Sequence, residues 1–195
     1  MWTRSRSRIA SPSAAGKPTA HVGADAAAHR VERVGARVLF VDASGPEPQL
    51  LMILGHDPHL PSRSFWFTPG GGLEPGEGGR EGAVRELGEE TGFQLAPHEL
   101  IGPVWRRTAV FDFASRPFTQ HEEFYVGWRS DADARPLTPK ALTRGELEAI
   151  DAVAWMTCAE LRADTREVFP ARLLAPWEEF LSWDGVTRDF GQESE

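Results

Sequence analysis

Three glutamates stand close together in one short stretch of the sequence and point to metal chemistry. Glu86, Glu89 and Glu90 are spaced i, i+3 and i+4, so a helix places all three carboxylates on one face. Like charges at this spacing weaken a helix, and Gly82 and Gly88 weaken the same helix further. A divalent cation would convert that repulsion into ligation, because Mg²⁺ and Mn²⁺ prefer carboxylate oxygens. An acidic face turned toward solvent is the alternative interpretation.

A run of glycines precedes these glutamates and favours the metal interpretation. Gly70, Gly71 and Gly72 follow a short apolar segment and allow the backbone to approach a ligand closely. The carbonyl oxygen of Gly71 is therefore a further candidate ligand.

The stretch from Gly71 to Phe93, GGLEPGEGGREGAVRELGEETGF, resembles the Nudix box. In that family pattern, five residues separate a glycine from a glutamate, and seven more precede R-E-U-x-E-E-x-G-U, with U a bulky apolar residue. Gly71, Glu77 and the run from Arg85 to Phe93 fill every fixed position, and only Phe93 stands where an aliphatic residue is commoner. Flanking features extend the resemblance over about residues 31–183.

The resemblance implies a hydrolase that cleaves the diphosphate linkage of a nucleoside diphosphate derivative, with Mg²⁺ or Mn²⁺ as cofactor. The metal ligands it implies are Gly71 (through its carbonyl), Glu86, Glu89 and Glu90, with Glu77 as a further ligand or an electrostatic partner. It also implies that Arg85 orients a carboxylate through a salt bridge. Divalent ions would neutralise phosphate charge and lower the pKa of a bound water, and Glu89 or Glu90 would take the remaining proton.

A further catalytic glutamate from a downstream segment is typical of Nudix-like enzymes. The candidates are Glu122, Glu123, Glu146 and Glu148. Glu146 and Glu148 are favoured because they lie just before the strand that contains Trp155. We take Glu146 as the candidate. Ordinary exposed glutamates are the alternative for at least two of the four.

Substrate-binding candidates are two basic positions and one aromatic residue. Arg37 and the pair Arg106-Arg107 are candidates for holding a terminal phosphate, although a solvated strand face is an equal alternative. Trp66 is a candidate for contacting a nucleobase, although core packing is the commoner role of an aromatic residue on a strand.

The surrounding pattern predicts an α/β domain that positions the box. Residues 34–41 and 49–54 read as two strands, 65–67 as a third, and 79–91 as a helix that ends at Gly92. Further strands are predicted at 102–113, 122–129 and 152–156, followed by a helical region over 159–183 that Pro170 and Pro176 interrupt. Together with the resemblance, this order predicts a Nudix-like α/β/α sandwich with a mixed central sheet and the box as a loop-helix-loop.

The ends of the chain differ in composition from its middle. Residues 1–30 are rich in Ala, Ser, Arg, Gly and Pro and contain one acid, which predicts a disordered extension; an organellar transit peptide is the alternative. We expect the Nudix domain over 31–184 and a flexible tail over 185–195.

Composition restricts the partners and the compartment. The 195 residues carry a formal net charge of −8, which argues against duplex nucleic acid as the main partner. No apolar run is long enough to span a membrane, so we predict no membrane insertion. A single cysteine excludes an intrachain disulfide framework and favours a reducing, cytoplasmic location. We expect a small nucleotide ligand and leave a homodimer open.

Two other functions compete with hydrolysis. One is a Nudix-like module that senses a nucleotide without cleaving it, although a pure sensor has no need for the acidic cluster. The other is an isomerase acting on an isoprenoid diphosphate, for which Cys158 would be the only available cysteine. The sequence does not select one leaving group among nucleoside diphosphate derivatives.

Overall fold

The described part of the chain consists mainly of strands, with helices after β4, β7 and β8. The computed structural model describes residues 30–129 and 149–195. Along these ranges the elements are β1 (Val31–Asp42), β2 (Gln49–Asp57), β3 (Leu60–Phe67), β4 (Gly70–Gly72), α1 (Gly79–Thr91), a 3-10 turn (Pro97–Glu99), β5 (Ile101–Phe113), β6 (Arg116–Trp128), β7 (Ile150–Thr157), α2 (Cys158–Ala163), β8 (Glu167–Phe169), α3 (Trp177–Leu181) and β9 (Arg188–Ser194).

The strands form one mixed sheet that opens near its centre. The order is β8-β3-β2-β1-β6-β5-β9, with β4 paired to β1 and β7 paired to β2. The pairs β1–β6, β3–β8 and β5–β9 are parallel and the others antiparallel. Strands β1 and β2 pair only at Val41–Leu50 and Asp42–Gln49. Beyond that point β1 pairs on the same edge with β4 and β2 pairs with β3, whereas β7 lies along the other edge of β2. A cleft forms between the two parts of the sheet.

Both faces of β1 are buried under separate hydrophobic clusters. Val38 packs in a cluster with Leu87 of α1. The next residue, Leu39, points to the opposite face and joins a cluster with Leu161 of α2 and Phe180 of α3. Helices therefore cover the sheet on both sides, and the predicted α/β/α sandwich is confirmed.

Helix α1 begins and ends where its glycines predict. It spans Gly79–Thr91, and Gly92 follows in the left-handed conformation with φ of 79°. The Gly92 N–H donates to the Gly88 carbonyl, which satisfies one of the last carbonyls of the helix. The box therefore forms the predicted loop-helix-loop.

The region after β7 differs from the predicted helical stretch over 159–183. Only the short helices α2 and α3 form there, and β8 lies between them and pairs with β3. Helix α2 already ends at Ala163 because Asp164 turns the chain into an extended conformation and accepts a hydrogen bond from the Arg166 N–H. The prediction overestimated the helix because β8 is stabilised by pairing with a strand a hundred residues earlier.

The last residues also differ from the expected flexible tail over 185–195. Residues 188–194 form β9, which extends the sheet beside β5. The polar sequence RDFGQES shows no apolar alternation, so its strand character depends on the pairing and on ion pairs with β5. The expected extension over residues 1–30 lies outside the described residues, except for Arg30. Within the described ranges no helix has the length and apolar character needed to cross a bilayer.

Candidate functional site

Two glutamates of α1 are buried against the glycine strand β4. Glu86 is 7% exposed and Glu90 is 5% exposed. The Gly70 N–H donates to Glu90 Oε2 at 2.9 Å, and a Cβ atom added at Gly71 would lie 2.6 Å from Glu86 Oε1. A side chain at position 71 would have to displace the Glu86 carboxylate, which occupies that space. The spacing of the box therefore brings β4 and α1 into direct contact.

Arg85 joins the other acidic residues of the box. Its Nε and Nη2 donate to the two oxygens of Glu77 at 2.9 and 3.0 Å, and its Nη1 donates to Glu86 at 2.9 Å and to Glu89 at 3.1 Å. Nη2 also donates to the Gly72 carbonyl at 3.0 Å. We call Arg85, Glu77, Glu86 and Glu89 the Arg85 cluster. One guanidinium faces three carboxylates, so the cluster retains an excess of negative charge.

The hydrogen bonds inside the Arg85 cluster shift the pKa of both partners in the direction that keeps them charged. The hydrogen bonds to Glu77 raise the pKa of the Arg85 guanidinium above its ordinary value, and the charge of Glu86 acts in the same sense. The same bonds lower the pKa of the Glu77 carboxyl. Glu77 therefore pairs with Arg85 through two hydrogen bonds, and its role as a metal ligand stays a prediction.

A cavity of about 260 Å³ opens beside Glu86 and Glu90. Its wall includes Gly70, Gly71 and Gly72 of β4 and the cationic side chains of Arg33 and Arg37 of β1. Phenylalanine rings from β3, β5 and β8 also line it, namely Phe65, Phe67, Phe111, Phe113 and Phe169, and the other lining residues are His56, Asp57, Arg63, Asp112, Ala149, Ile150 and Glu195. The cavity thus combines carboxylates, cations and aromatic surface, which is a lining suited to a nucleotide.

Arg37 is held on the cavity wall by a buried carboxylate. Its Nε donates to Glu122 Oε1 at 2.5 Å, and its Nη1 donates to the carbonyls of Thr68 at 2.9 Å and Gly70 at 3.3 Å. Glu122 is 1% exposed and also accepts from Arg107 Nε at 2.7 Å. Arg37 is therefore fixed in direction and linked to the backbone that leads into β4.

The buried carboxylate belongs to a larger charged cluster. Arg107 also forms salt bridges with Glu193, at 3.0 Å, and with Glu195. Arg172 forms a salt bridge with Glu193 at 2.8 Å. We call Arg37, Glu122, Arg107, Glu193, Glu195 and Arg172 the Glu122 cluster. Burial alone would raise the pKa of Glu122, but the charges and hydrogen bonds of Arg37 and Arg107 lower it below the ordinary value. The cluster has three cations and three carboxylates, and its formal charge is balanced.

The structure brings only part of the predicted set to the cavity. Gly71, Glu86, Glu90 and Arg37 line it. Glu77, Glu89 and Arg85 are joined to Glu86 through the Arg85 cluster, although they do not line the cavity. The candidate Glu146, and its alternative Glu148, lie outside the described residues.

Two predicted substrate-binding residues, Trp66 and Arg106, do not line the cavity. Trp66 is 6% exposed, packs in the hydrophobic cluster of Leu39, and donates from its indole nitrogen to Asp164 Oδ2 at 3.0 Å. Arg106 is largely exposed and pairs with Glu123 at 2.9 Å. Neither residue lines the cavity, because strand alternation directs Trp66 into the core and Arg106 to the outer surface.

Several residues of the cavity were missed by the sequence analysis. Phe65 and Phe67 flank Trp66 and line the cavity from the other side of the same strand. The period of two along Phe65-Trp66-Phe67 was the available signal, because it separates the middle ring from its neighbours. Arg33 precedes Arg37 by four residues on β1 and therefore shares its face, which was a second signal.

The acidic residues near the cavity suit a divalent cation by their chemistry. Over residues 30–129 and 149–195, no three His, Cys, Asp or Glu side chains are arranged to hold a metal ion. The side chains instead adopt the salt bridges of Arg85 and the Gly70 hydrogen bond. Even so, the donors are all oxygens, the carboxylates outnumber the guanidinium, and the glycine strand lies directly against Glu86. This donor set fits a hard cation such as Mg²⁺ or Mn²⁺.

Comparison with known proteins gives a bacterial relative that matches part of this chain. A Bacillus subtilis protein described as "Putative 8-oxo-dGTP diphosphatase" is 40% identical over 73 residues. The aligned segment covers 37% of this chain and 45% of that relative, so the match spans less than half of the relative's length.

Solved structures with the same fold are more distant in sequence. A MutT protein from Methanosarcina mazei has a TM-score of 0.51 at 18% identity, covering 77% of this chain and 94% of that chain. A mutator MutT protein from Bacillus halodurans has a TM-score of 0.51 at 18% identity, covering 82% and 89%. A C. elegans Ap4A hydrolase has a TM-score of 0.50 at 15% identity, covering 77% and 98%.

A family model also matches this chain. The model of the NUDIX domain matches residues 31–177, which is most of the chain. The chain therefore belongs to the Nudix family.

Proposed function

We propose that this protein is a divalent-metal-dependent hydrolase that cleaves the diphosphate linkage of a nucleoside diphosphate derivative by attack of water on phosphorus. One observation carries the proposal: Glu86 and Glu90 are buried on the wall of a cavity that also presents Arg37. Family membership and the name of the Bacillus subtilis relative support the same reaction class.

The candidate residues for the metal are those that the resemblance implied. Glu86, Glu89 and Glu90 would hold Mg²⁺ or Mn²⁺, with the Gly71 carbonyl and Glu77 close by. When bound, the cation would neutralise phosphate charge and lower the pKa of a water molecule. Arg85 would keep its pairing with Glu77, because that bidentate contact fixes the guanidinium beside the ligands.

The remaining steps belong to side chains of this chain. Arg37 lies on the cavity wall in a fixed orientation and would bind a phosphate oxygen of the substrate. Glu89 or Glu90 would accept the proton of the attacking water. Glu90 lines the cavity, whereas the Glu89 side chain is 36% exposed and hydrogen-bonded to Arg85. The cavity therefore favours Glu90 of the two, and Glu146 stays a further prediction.

The test is release of phosphate or diphosphate from a panel of nucleotides. The panel contains 8-oxo-dGTP, ordinary nucleoside triphosphates, ADP-ribose, nucleotide sugars and dinucleoside polyphosphates, each with Mg²⁺, with Mn²⁺ and with EDTA. We expect turnover of at least one compound that EDTA abolishes and that the Glu86→Gln/Glu90→Gln double variant loses. Glu81→Gln, which changes an exposed glutamate in the first turn of α1, is the matched control.

The same panel separates hydrolysis from sensing. Tight binding of a panel nucleotide by a folded protein, without turnover under any metal condition, would overturn the hydrolase proposal in favour of a sensing module. The cytoplasmic location and the homodimer stay predictions, to be checked by microscopy of a tagged chain and by light scattering.

A further inference from the structure

Strand β9 reaches the candidate site although it lies beyond the last residue that the NUDIX domain matches. We propose that Glu193 and Glu195 are positioning residues for Arg37. They act through Arg107 and Glu122 and keep the Arg37 guanidinium in the orientation that binds phosphate. This inference rests on the proposed function, because the phosphate-binding role of Arg37 comes from it.

Strand alternation directs two glutamates of this segment to one place. Glu193 and Glu195 lie two positions apart and therefore share a face, whereas Ser194 between them is exposed. The Glu195 N–H donates to the Val110 carbonyl of β5 at 3.0 Å, which fixes the backbone at this point. Both glutamate side chains are largely buried, and Glu195 lines the cavity. The segment therefore places two carboxylates beside the candidate site.

Arg107 pairs with these two carboxylates on one side and with Glu122 on the other. Its Nη1 pairs with Glu193 at 3.0 Å and with Glu195. Its Nε and Nη2 lie 2.7 and 2.6 Å from Glu122 Oε2. The Arg107 side chain is 2% exposed, so a nitrogen that lost its carboxylate could reach water only if the guanidinium moved. The carboxylates of the β9 segment therefore hold Arg107 in place.

Glu122 divides its two oxygens between two guanidiniums. Oε1 accepts from Arg37 Nε at 2.5 Å and from Gln120 Nε2 at 2.6 Å, whereas Oε2 accepts from Arg107. Without the β9 segment, one buried carboxylate would have to compensate two cations. Because Glu193 and Glu195 compensate Arg107, the charge of Glu122 is available to hold Arg37.

Arg37 is the member of this series of contacts that would bind the substrate. Its described hydrogen bonds use Nε, held by Glu122, and Nη1, held by the carbonyls of Thr68 and Gly70. Nη2 is the nitrogen that it would offer to a phosphate oxygen. A guanidinium binds phosphate through a planar fork, so its affinity depends on the orientation of that plane. The bond from Glu122 to Nε therefore sets how well Arg37 is aimed.

The positioning role and simple charge attraction predict opposite effects of Glu195→Gln. The substitution removes a negative charge from the cavity wall, so charge alone would strengthen the binding of an anion. In the positioning role, Arg107 loses a partner and draws Glu122 toward itself, and Arg37 is no longer held in its orientation. Binding of an anion should then weaken, although the site has become more positive.

The test is calorimetric titration of the full chain with inorganic diphosphate in the presence of Mg²⁺. We expect Glu195→Gln to raise the Kd at least about fivefold, which is within the range over which residues of one charged network couple. In an Arg37→Gln background the same substitution should raise the Kd by less than about twofold, because the positioned group is gone. Glu179→Gln is the matched control, since that exposed glutamate lies 3.7 Å from Arg188 of β9 and does not line the cavity.

Several results would overturn the positioning role. They are an unchanged or lower Kd in Glu195→Gln, an equal rise in Glu179→Gln, an undiminished effect in the Arg37→Gln background, and absence of diphosphate binding by the wild-type chain. Thermal melts establish which variants are folded, and Glu193→Gln takes the place of Glu195→Gln if the latter is not. Arg37→Lys, which keeps the charge but lacks the planar fork, replaces an Arg37→Gln variant that is unfolded or binds no diphosphate.

Failure of the proposed function would be seen separately. Loss of diphosphate binding in Glu195→Gln that depends on Arg37, without hydrolysis of any panel nucleotide, would overturn the hydrolase proposal alone. Hydrolysis of a panel nucleotide, with no such dependence between the two residues, would overturn the positioning role alone.

Discussion

The Arg85 cluster and the Glu122 cluster use the same two residue types in opposite ways. In the Arg85 cluster one guanidinium faces three carboxylates, on a helix whose outer glutamate is partly exposed. In the Glu122 cluster three guanidiniums pair with three carboxylates; Arg37 and Arg107 hold the unexposed Glu122 side chain, and the exposed Arg172 pairs with Glu193. A charge excess favours binding of a cation, whereas balanced burial favours a single fixed structure.

The two clusters also differ in how far apart their residues lie in the sequence. The Arg85 cluster is local, since its residues lie within thirteen positions of one another in the box. The Glu122 cluster is assembled from β1, β5, β6, β9, the residue after β9 and the turn after β8, so its charges are paired only in the folded chain. Loss of one charge from the Glu122 cluster should therefore destabilise the protein far more than loss of one charge from the Arg85 cluster.

Glu122→Gln is expected to have the largest effect on stability. Removal of one partner from a buried ion pair leaves the opposite charge buried without a partner, which lowers the unfolding free energy by about 3–5 kcal/mol. Glu89→Gln in the Arg85 cluster should change stability by less than about 1 kcal/mol in the absence of metal, because that glutamate is partly exposed. Urea unfolding of the two variants beside wild type measures the contrast. Equal losses would show that the clusters do not differ in the way described.

The stability contributed by Glu122 should also depend on pH in a defined direction. Arg37 and Arg107 outweigh the effect of burial and lower the pKa of Glu122 below its ordinary value of 4.5. The contribution is therefore fully present above pH 4.5 and is lost as the pH falls from there through the folded-state pKa. We expect the difference in unfolding free energy between wild type and Glu122→Gln to shrink over that interval. A difference that is constant from pH 7 to below 4.5 would contradict the lowered pKa.

Glu86→Gln should reduce activity and leave the metal-free fold nearly intact. The substitution removes a negative charge from a cluster in which carboxylates outnumber the guanidinium, so we expect only a small loss of unfolding free energy. The proposed metal ligand is lost, however, and with it the stabilisation of charge in the transition state. We expect kcat to fall by roughly 10²-fold, the order that loss of one such stabilising group produces. Initial rates at saturating Mg²⁺, with Glu81→Gln as control, test this. Turnover close to wild type would remove Glu86 from the metal ligands.

Divalent metal should stabilise the protein through the same cluster. A ligand that binds only the native state adds about 2.7 kcal/mol at a hundredfold excess over its Kd. For a domain of this size that is a rise in Tm of roughly 6–10 °C. Thermal scans with Mn²⁺ and with EDTA should show this rise in wild type and lose most of it in the Glu86→Gln/Glu90→Gln variant. Equal rises in both proteins would place the ions elsewhere.

Arg106→Gln should have the smallest effect. Arg106 is 56% exposed and pairs with Glu123 on the surface, so the pair contributes less than about 1 kcal/mol. The residue does not line the cavity, and KM for the best panel nucleotide should stay within about twofold of wild type. A large rise in KM would restore Arg106 to the substrate-binding role that the sequence first indicated.

The sequence by itself identified the family and the segment that carries the candidate metal ligands. The box predicts helix 79–91, its end at Gly92 and a shared face for Glu86, Glu89 and Glu90, because all of these depend on spacing within one short segment. Local periodicity carries such information, since 3.6 residues per turn decides which carboxylates share a face. The family and the α/β/α fold follow from the same segment.

Only the tertiary structure decided which other residues meet that centre. The cavity joins Arg33 of β1 with Phe65 of β3 and Phe169 of β8, which are far apart in sequence and come together through strand pairing. Trp66 is excluded although it lies between two rings that line the cavity, because a strand directs alternate side chains to opposite faces. Strand β9 has no apolar pattern and forms through long-range pairing with β5 and ion pairs to Arg107. Long-range contacts of this kind leave no periodic signal in a single sequence, because their partners are set by the fold.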